Sequence, residues 1–229
     1  MDADVTETEM FSTQTSSSGT GSSGTDRRPR AIVVMGVAGS GKTTVAALLA
    51  GRLGASFAEG DDFHSPANVA KMAAGHPLDD EDRWPWLRGI RDWFAKELNE
   101  GRSAVVPCSA LRHSYRDLLE TAGDVRFVHL TGSYDLLRER IQGRAGHFMK
   151  PEMLDSQLAA LEPLEDDEPG FAVDITPRPD QIVDEILHRL DEPAGANPTG
   201  ATAGATPASA SPTGAAVTKT EPTTEPEDH

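Results

Sequence analysis

Between residues 31 and 50 an apolar run, AIVVM, passes into GVAGSGKT and then into the helical pattern TVAALLA. No other stretch of the chain restricts the possible folds as much. The pattern G-x-x-x-x-G-K-[ST] between a strand and a helix makes a phosphate-cradling loop. Gly36, Gly39 and Gly41 permit the tight backbone path that aims several N–H groups at one point. The N-terminus of the following helix adds positive potential there. Gly36, Val37, Ala38, Gly39, Ser40, Gly41, Lys42, Thr43 and Thr44 are therefore expected to hold a nucleoside triphosphate. Lys42 would reach the β- and γ-phosphates, and the Thr43 hydroxyl would ligate Mg²⁺.

The rest of the chain repeats the strand–helix alternation. Short strands are read in ASFAEGDDFH, SAVVPCSAL, DVRFVHLTG and GFAVDIT. Helices are read in residues 66–74, in PWLRGIRDWFAKELNEG with Pro85 in its first turn, and in HSYRDLLETAG, SYDLLRERIQGR, PEMLDSQLAALE and RPDQIVDEILHRL. Five strands alternating with helices call for a parallel sheet covered on both faces, an α/β P-loop fold of the nucleoside monophosphate kinase type. Ligands of such sheets bind at the carboxyl ends of the strands, so the loops after Met35, Ala58, Val106 and Leu130 should converge on one cleft.

The ends of the chain read differently. Residues 1–29 and 192–229 are rich in Ser, Thr, Gly, Ala and Pro without apolar periodicity. Both are expected to be disordered tails flanking one kinase domain, residues 30–191. The net charge is −16, and the tails account for −3 and −4 of it, which leaves about −9 on the domain. That balance argues against a nucleic-acid surface, so an anionic ligand must be met by a few placed cations. The start, MDADVTETEM, is acidic with no apolar stretch behind it, and no run has the length of a membrane helix. With Cys108 as the sole cysteine, a cytoplasmic protein without membrane contact is expected.

Phosphate binding does not name a reaction. The N-K-x-D motif by which Ras-type GTPases read their base does not occur. A compact domain with the loop at its start suits a small-molecule kinase. Beyond strand two, Asp61 is placed to orient an acceptor hydroxyl in line with the γ-phosphate and take its proton. Glu59 is a candidate to hold a Mg²⁺-bound water. These residues leave the acceptor open: shikimate, a sugar acid or a nucleoside monophosphate. They also leave open a catalytically weak ATP-binding protein that acts through its tails.

Three further segments narrow the choice. EGDDFHSPANVAKMAAGHPLDDEDRWPWL (59–87), CSALRHSYRDLL (108–119) and GHFMKPEMLDSQLAALEPL (146–164) together resemble the gluconokinase family of sugar-acid kinases. The resemblance covers residues 31–190 and neither tail; shikimate kinases share the layout but not these segments. It implies transfer of the γ-phosphoryl group of ATP to the 6-hydroxyl of D-gluconate, giving 6-phospho-D-gluconate, in a protein that forms a homodimer. Two positions depart from the family's usual pattern: Glu59 stands where Asp is common, and Arg112 where Lys is common.

Gluconate is a flexible polyol with one carboxylate, and the chain offers matching groups. Arg83 can take the carboxylate by a two-point, charge-assisted contact. His64, Lys71 and Ser109 can donate to hydroxyls or to the carboxylate. RERIQGRAGHFMK reads as a lid that excludes water, with Gly143 and Gly146 as hinges. Arg140 and Arg144 are expected to meet the charge that develops on the transferred group. His147 and Lys150 match the family's lid motif, and residues 176–178 are a candidate wall for the adenine. Trp84, Trp86 and Trp93 are read as packing residues.

Overall fold

The structure, a computed structural model, describes residues 28–143 and 151–191. The two tails thus lie almost wholly outside the described residues. Among those residues the strands β1 (Ala31–Met35), β2 (Ser56–Phe57), β3 (Ala104–Pro107), β4 (Val125–Thr131) and β5 (Gly170–Asp174) form one parallel sheet in the order β2-β3-β1-β4-β5. The glycine-rich loop leaves β1 at the centre of this sheet. Beside it the chain order reverses, with β3 on one flank and β4 on the other. That is the switch point at which open α/β sheets bind ligands.

The alternation of β1 shows how both faces are covered. Ile32 and Val34 pack into a core with helix α1 (Lys42–Leu53) and helix α7 (Pro179–Asp191), through Leu49, Ile182 and Ile186. Ala31, Val33 and Met35 pack the opposite way, against Leu87, Ile90 and Phe94 of helix α3 (Asp80–Asn99) and Leu119 of helix α4 (His113–Glu120). All five β1 residues are buried, as a parallel strand between two helical layers requires. Helices α2 (Pro66–Ala73), α5 (Tyr134–Gln142) and α6 (Pro151–Ala160) border the carboxyl edge. Among the described residues no helix is long and apolar enough to cross a membrane.

The fold follows the expected doubly covered parallel sheet, with two local corrections. The strand read in ASFAEGDDFH is only two residues long, and Gly60–Phe63 form a 3₁₀ turn instead. Helix α3 does not start at Pro85 but at Asp80, so the proline lies inside it. The start is set by a capping box: the Asp79 carboxylate accepts from Asp82 N–H while the Asp82 carboxylate accepts from Asp79 N–H. Acids at Asp80, Glu81 and Asp82 suit the helix dipole. Pro85 withholds one N–H from the Glu81 carbonyl, and both residues sit on the exposed side where water can replace the bond.

Candidate active site

The phosphate loop owes its path to residues without a Cβ. Gly36, Gly39 and Gly41 all have positive φ, at 137°, 80° and 89°. A Cβ on Gly36 would stand 2.7 Å from the Leu130 carbonyl oxygen, and one on Gly39 would stand 2.8 Å from that of Leu137. The loop therefore presses against β4 and α5 and cannot relax outward. The Lys42 ammonium arches over the loop and donates to the Val37 carbonyl at 3.0 Å. Thr43 lies in the first turn of α1, and its hydroxyl is 3.5 Å from the Glu59 carboxylate, two residues past β2. A hydroxyl and a carboxylate converging beside a phosphate cradle form the hard-oxygen donor set that suits Mg²⁺.

Asp61 is positioned by its neighbours. Gly60 presses so closely on β3 that a Cβ would fall 2.2 Å from the Pro107 carbonyl oxygen. From the other side the buried Trp86 indole donates to the Gly60 carbonyl at 2.6 Å. The Asp61 carboxylate is exposed just beyond this clamp. Cys108, buried at the end of β3, has its thiol pushed up to about 12, chiefly by burial, with Lys42 and Asp61 acting on it in opposite senses. The ammonium and the carboxylate thus lie within reach of the same strand end. His64 stacks on Trp86 at 4.4 Å between ring centroids. Burial holds its imidazole below the usual histidine value; Asp61 opposes that shift and Arg83 adds to it. Asp61, His64 and Arg83 are therefore electrostatic neighbours.

Beside this group opens a cavity of about 830 Å³, bounded by the start of α3, the β3–α4 loop and α6. Arg83 and Ser109 line it, as do Asp80, Arg112, Tyr115 and Gln157. The polar wall is a continuous chain: Arg83 donates to the Tyr115 hydroxyl at 3.0 Å, Tyr115 donates to Asp80 at 2.6 Å, and Arg112 pairs with the same carboxylate at 2.7 Å. Two guanidinium groups thus face an acceptor-sized space, held by one phenol and one acid. The β3–α4 loop that carries Ser109 has Ala110 at φ 41°. A non-glycine residue in that region costs on the order of 1 kcal/mol or more. Arg116, fully buried, offsets this by donating to the Ala110 carbonyl at 3.2 Å.

The remaining expected residues are distributed differently. Lys71 does not line the cavity: its ammonium pairs with Asp79 at 3.1 Å and with Asp82, which raises its pKa and ties α2 to the cap of α3. Arg140 lines a second cavity of about 210 Å³, with Gly39, Ser40, Gly41 and Thr44 on one side and Pro179 on the other. Its guanidinium donates to the Ile175 carbonyl at 2.8 Å. In this arrangement it stands on the flank of the phosphate loop beside α7. Arg144, His147 and Lys150 lie outside the described residues. Asp80, Tyr115 and Gln157 escape a reading based on strand ends, because helices bring them in.

Comparison with known proteins agrees with this geometry. A family model described as an AAA domain matches residues 32–164. The gluconokinase of Gluconobacter oxydans is 50% identical over 166 residues, covering 71% of this chain and 92% of that protein. The chain belongs to the gluconokinase family. It is accordingly an ATP-dependent carbohydrate kinase on a P-loop fold. Among solved structures, a gluconokinase from Sinorhizobium meliloti is 44% identical with a TM-score of 0.65, covering 72% of this chain and 94% of its own. An unliganded sugar kinase from a Janibacter species is 48% identical with a TM-score of 0.68, covering 71% and 95%.

Proposed function

We propose that this gluconokinase-family chain transfers the γ-phosphoryl group of ATP to the 6-hydroxyl of D-gluconate, giving 6-phospho-D-gluconate and ADP. The observation that carries the reading is the cavity beside the phosphate loop, in which Arg83 and Arg112 face a space large enough for a six-carbon acid. A neutral acceptor would not call for two guanidinium groups, whereas a carboxylate binds such forks strongly. The gluconokinase names of the relatives point to the same acceptor.

The residues divide the work as follows. Backbone N–H groups of residues 36–43 and the Lys42 ammonium hold the triphosphate. Thr43 and, through its carboxylate, Glu59 would hold Mg²⁺, which when bound would neutralise charge on the phosphate oxygens. Asp61 orients the 6-hydroxyl toward the γ-phosphate and accepts its proton as the new P–O bond forms and the bond to ADP breaks. Arg83 and Arg112 fix the far end of the acid. His64, kept neutral at pH 7, and Ser109 donate to hydroxyls; Lys71 acts indirectly, by holding the start of α3 where Arg83 begins. Arg144 is assigned to the charge of the transferred group and His147 to the substrate on their sequence motif alone, and Arg140 borders the phosphate loop. Phosphoryl transfer needs little covalent help, so positioning and charge neutralisation supply most of the rate. The kinase domain, residues 30–191, is sufficient for this activity.

ADP release in a coupled assay tests the reading, with Mg·ATP and D-gluconate against shikimate, gluconate isomers and no acceptor. Release that requires gluconate, and that disappears in Lys42→Ala and Asp61→Asn, is the expected result. ATP binding without release for any acceptor would end the gluconokinase reading.

A further inference from the structure

Gln157 stands on α6 and lines the acceptor cavity together with Arg83 and Arg112. Its side-chain oxygen accepts the backbone N–H of Ala38, inside the phosphate loop, at 2.6 Å. A backbone N–H can only donate, so the atom facing Ala38 must be the carboxamide oxygen and the NH₂ group is left over as a donor. Gln157 also lines the acceptor cavity. One carboxamide therefore reaches from the donor loop to the acceptor space.

Its position is firmly set. Leu154 of α6 is 1% exposed in the same core as Leu49 and Ile182. Just past the helix, Glu162 N–H donates to the Leu111 carbonyl at 2.8 Å, and the Glu162 carboxylate accepts from His113 N–H at 2.6 Å. Arg116 donates to the carbonyls of Glu162 and Pro163 at 3.1 and 3.2 Å. The end of α6 is thus fastened to the β3–α4 loop that carries Ser109 and Arg112. A group held this way can act on orientation, because it pays little entropy when substrate arrives.

We propose that Gln157 is a specificity-determining residue: its oxygen anchors on Ala38 while its NH₂ donates to a hydroxyl near the reacting end of the acceptor polyol. This rests on the gluconokinase reading. The acceptor's carboxylate belongs at the Arg83–Arg112 wall, so its reacting end must point to the phosphate loop. Gln157 is a polar side chain of the cavity wall that is bonded to that loop. Asp61 takes the hydroxyl that is phosphorylated, which leaves the carboxamide for a hydroxyl beside it. A site built to donate to a hydroxyl rejects the analogue that lacks it.

The test compares D-gluconate with its 5-deoxy and 4-deoxy analogues, in the wild-type chain and in Gln157→Met. Wild-type kcat/KM should fall tenfold or more for one analogue. In Gln157→Met that analogue and gluconate should be used within about twofold of each other, since the partner of the hydroxyl is gone. A residue that merely braced the loop would lower kcat/KM for all acceptors by one factor and leave the discrimination intact, and that result overturns the proposal. So does a wild-type chain that phosphorylates gluconate and both analogues equally well. If gluconate itself is not phosphorylated, it is the gluconokinase reading that fails, separately from the role of Gln157.

Discussion

Arg116 of α4 and Glu168, just before β5, form an ion pair inside the protein, with Nη2 of the arginine 2.8 Å from Oε2 of the glutamate. Arg116 is 0% exposed and Glu168 8%. The same guanidinium holds the carbonyls of Ala110, Glu162 and Pro163, and so ties the β3–α4 loop to the segment that follows α6. Burial alone would raise the glutamate's pKa, but the hydrogen bonds from Arg116 and from Glu165 N–H hold it below the usual range.

Breaking this pair from one side leaves a buried charge with no counterpart, at a cost of about 3–5 kcal/mol. Glu168→Gln and Arg116→Met should each lower the melting temperature by roughly 6–20 °C, taking about 2–4 °C per kcal/mol for a chain of this size. Calorimetry checks this. The double variant should lose less than the sum of the two, because neither charge is then stranded.

His129 gives the fold a dependence on pH. It lies on β4, 7% exposed, and burial, with the nearby positive charge of Arg116, lowers its pKa from 6.5 to about 4. Between those values the unfolded chain binds a proton that the folded chain refuses. Its contribution to stability is therefore complete above about pH 6.5 and is lost as the pH falls toward 4. Urea unfolding at pH 7 and at pH 4.5 measures the drop. His129→Gln, which does not titrate, should show a smaller drop than the wild-type chain.

Much of this was legible in the sequence for a physical reason. The phosphate loop is a local solution: three glycines, a lysine and a threonine within eight residues determine its path and chemistry without help from afar. The strand ends point to Asp61 and Ser109 in the same way. Arg112, Tyr115 and Gln157 are different, since each gains its meaning from a partner 32 or more residues away: Asp80, Arg83 and Ala38. Helical periodicity says which face of α6 is apolar, but not that one glutamine on it meets a loop N–H. The start of α3 was misplaced because two local signals compete there, a proline suited to a first turn and an acid-rich capping box five residues earlier. The box satisfies more backbone donors, so it sets the boundary.

Gly60 and Trp86 should act on catalysis through Asp61. Gly60→Ala forces a Cβ to within 2.2 Å of the Pro107 carbonyl, so the turn must move off β3 and carry Asp61 with it. Trp86→Phe keeps the ring that stacks on His64 but removes the donor to the Gly60 carbonyl. That buried carbonyl loses about 1–3 kcal/mol of hydrogen bonding. Both variants should lower kcat with gluconate by tenfold or more while leaving the KM for ATP within about threefold, as steady-state kinetics would show. An ATP KM that rises as much as kcat falls would mean that the clamp serves the phosphate loop instead.

The two cavity arginines should differ from every other variant in where their effect appears. Arg83 and Arg112 reach Asp80 from opposite sides, Arg83 through the Tyr115 hydroxyl and Arg112 directly. A charge-assisted hydrogen bond to substrate is worth about 1.5–3 kcal/mol, or roughly tenfold to a hundredfold in binding. Arg83→Ala and Arg112→Ala should each raise the KM for gluconate by that factor, with the KM for ATP little changed. Arg112→Lys separates charge from shape: an ammonium can keep its pairing with Asp80, yet it cannot grip a second carboxylate with a planar fork. If Arg112→Lys retains the wild-type KM for gluconate, this arginine serves only to hold Asp80, and the acceptor's carboxylate is carried by Arg83 alone.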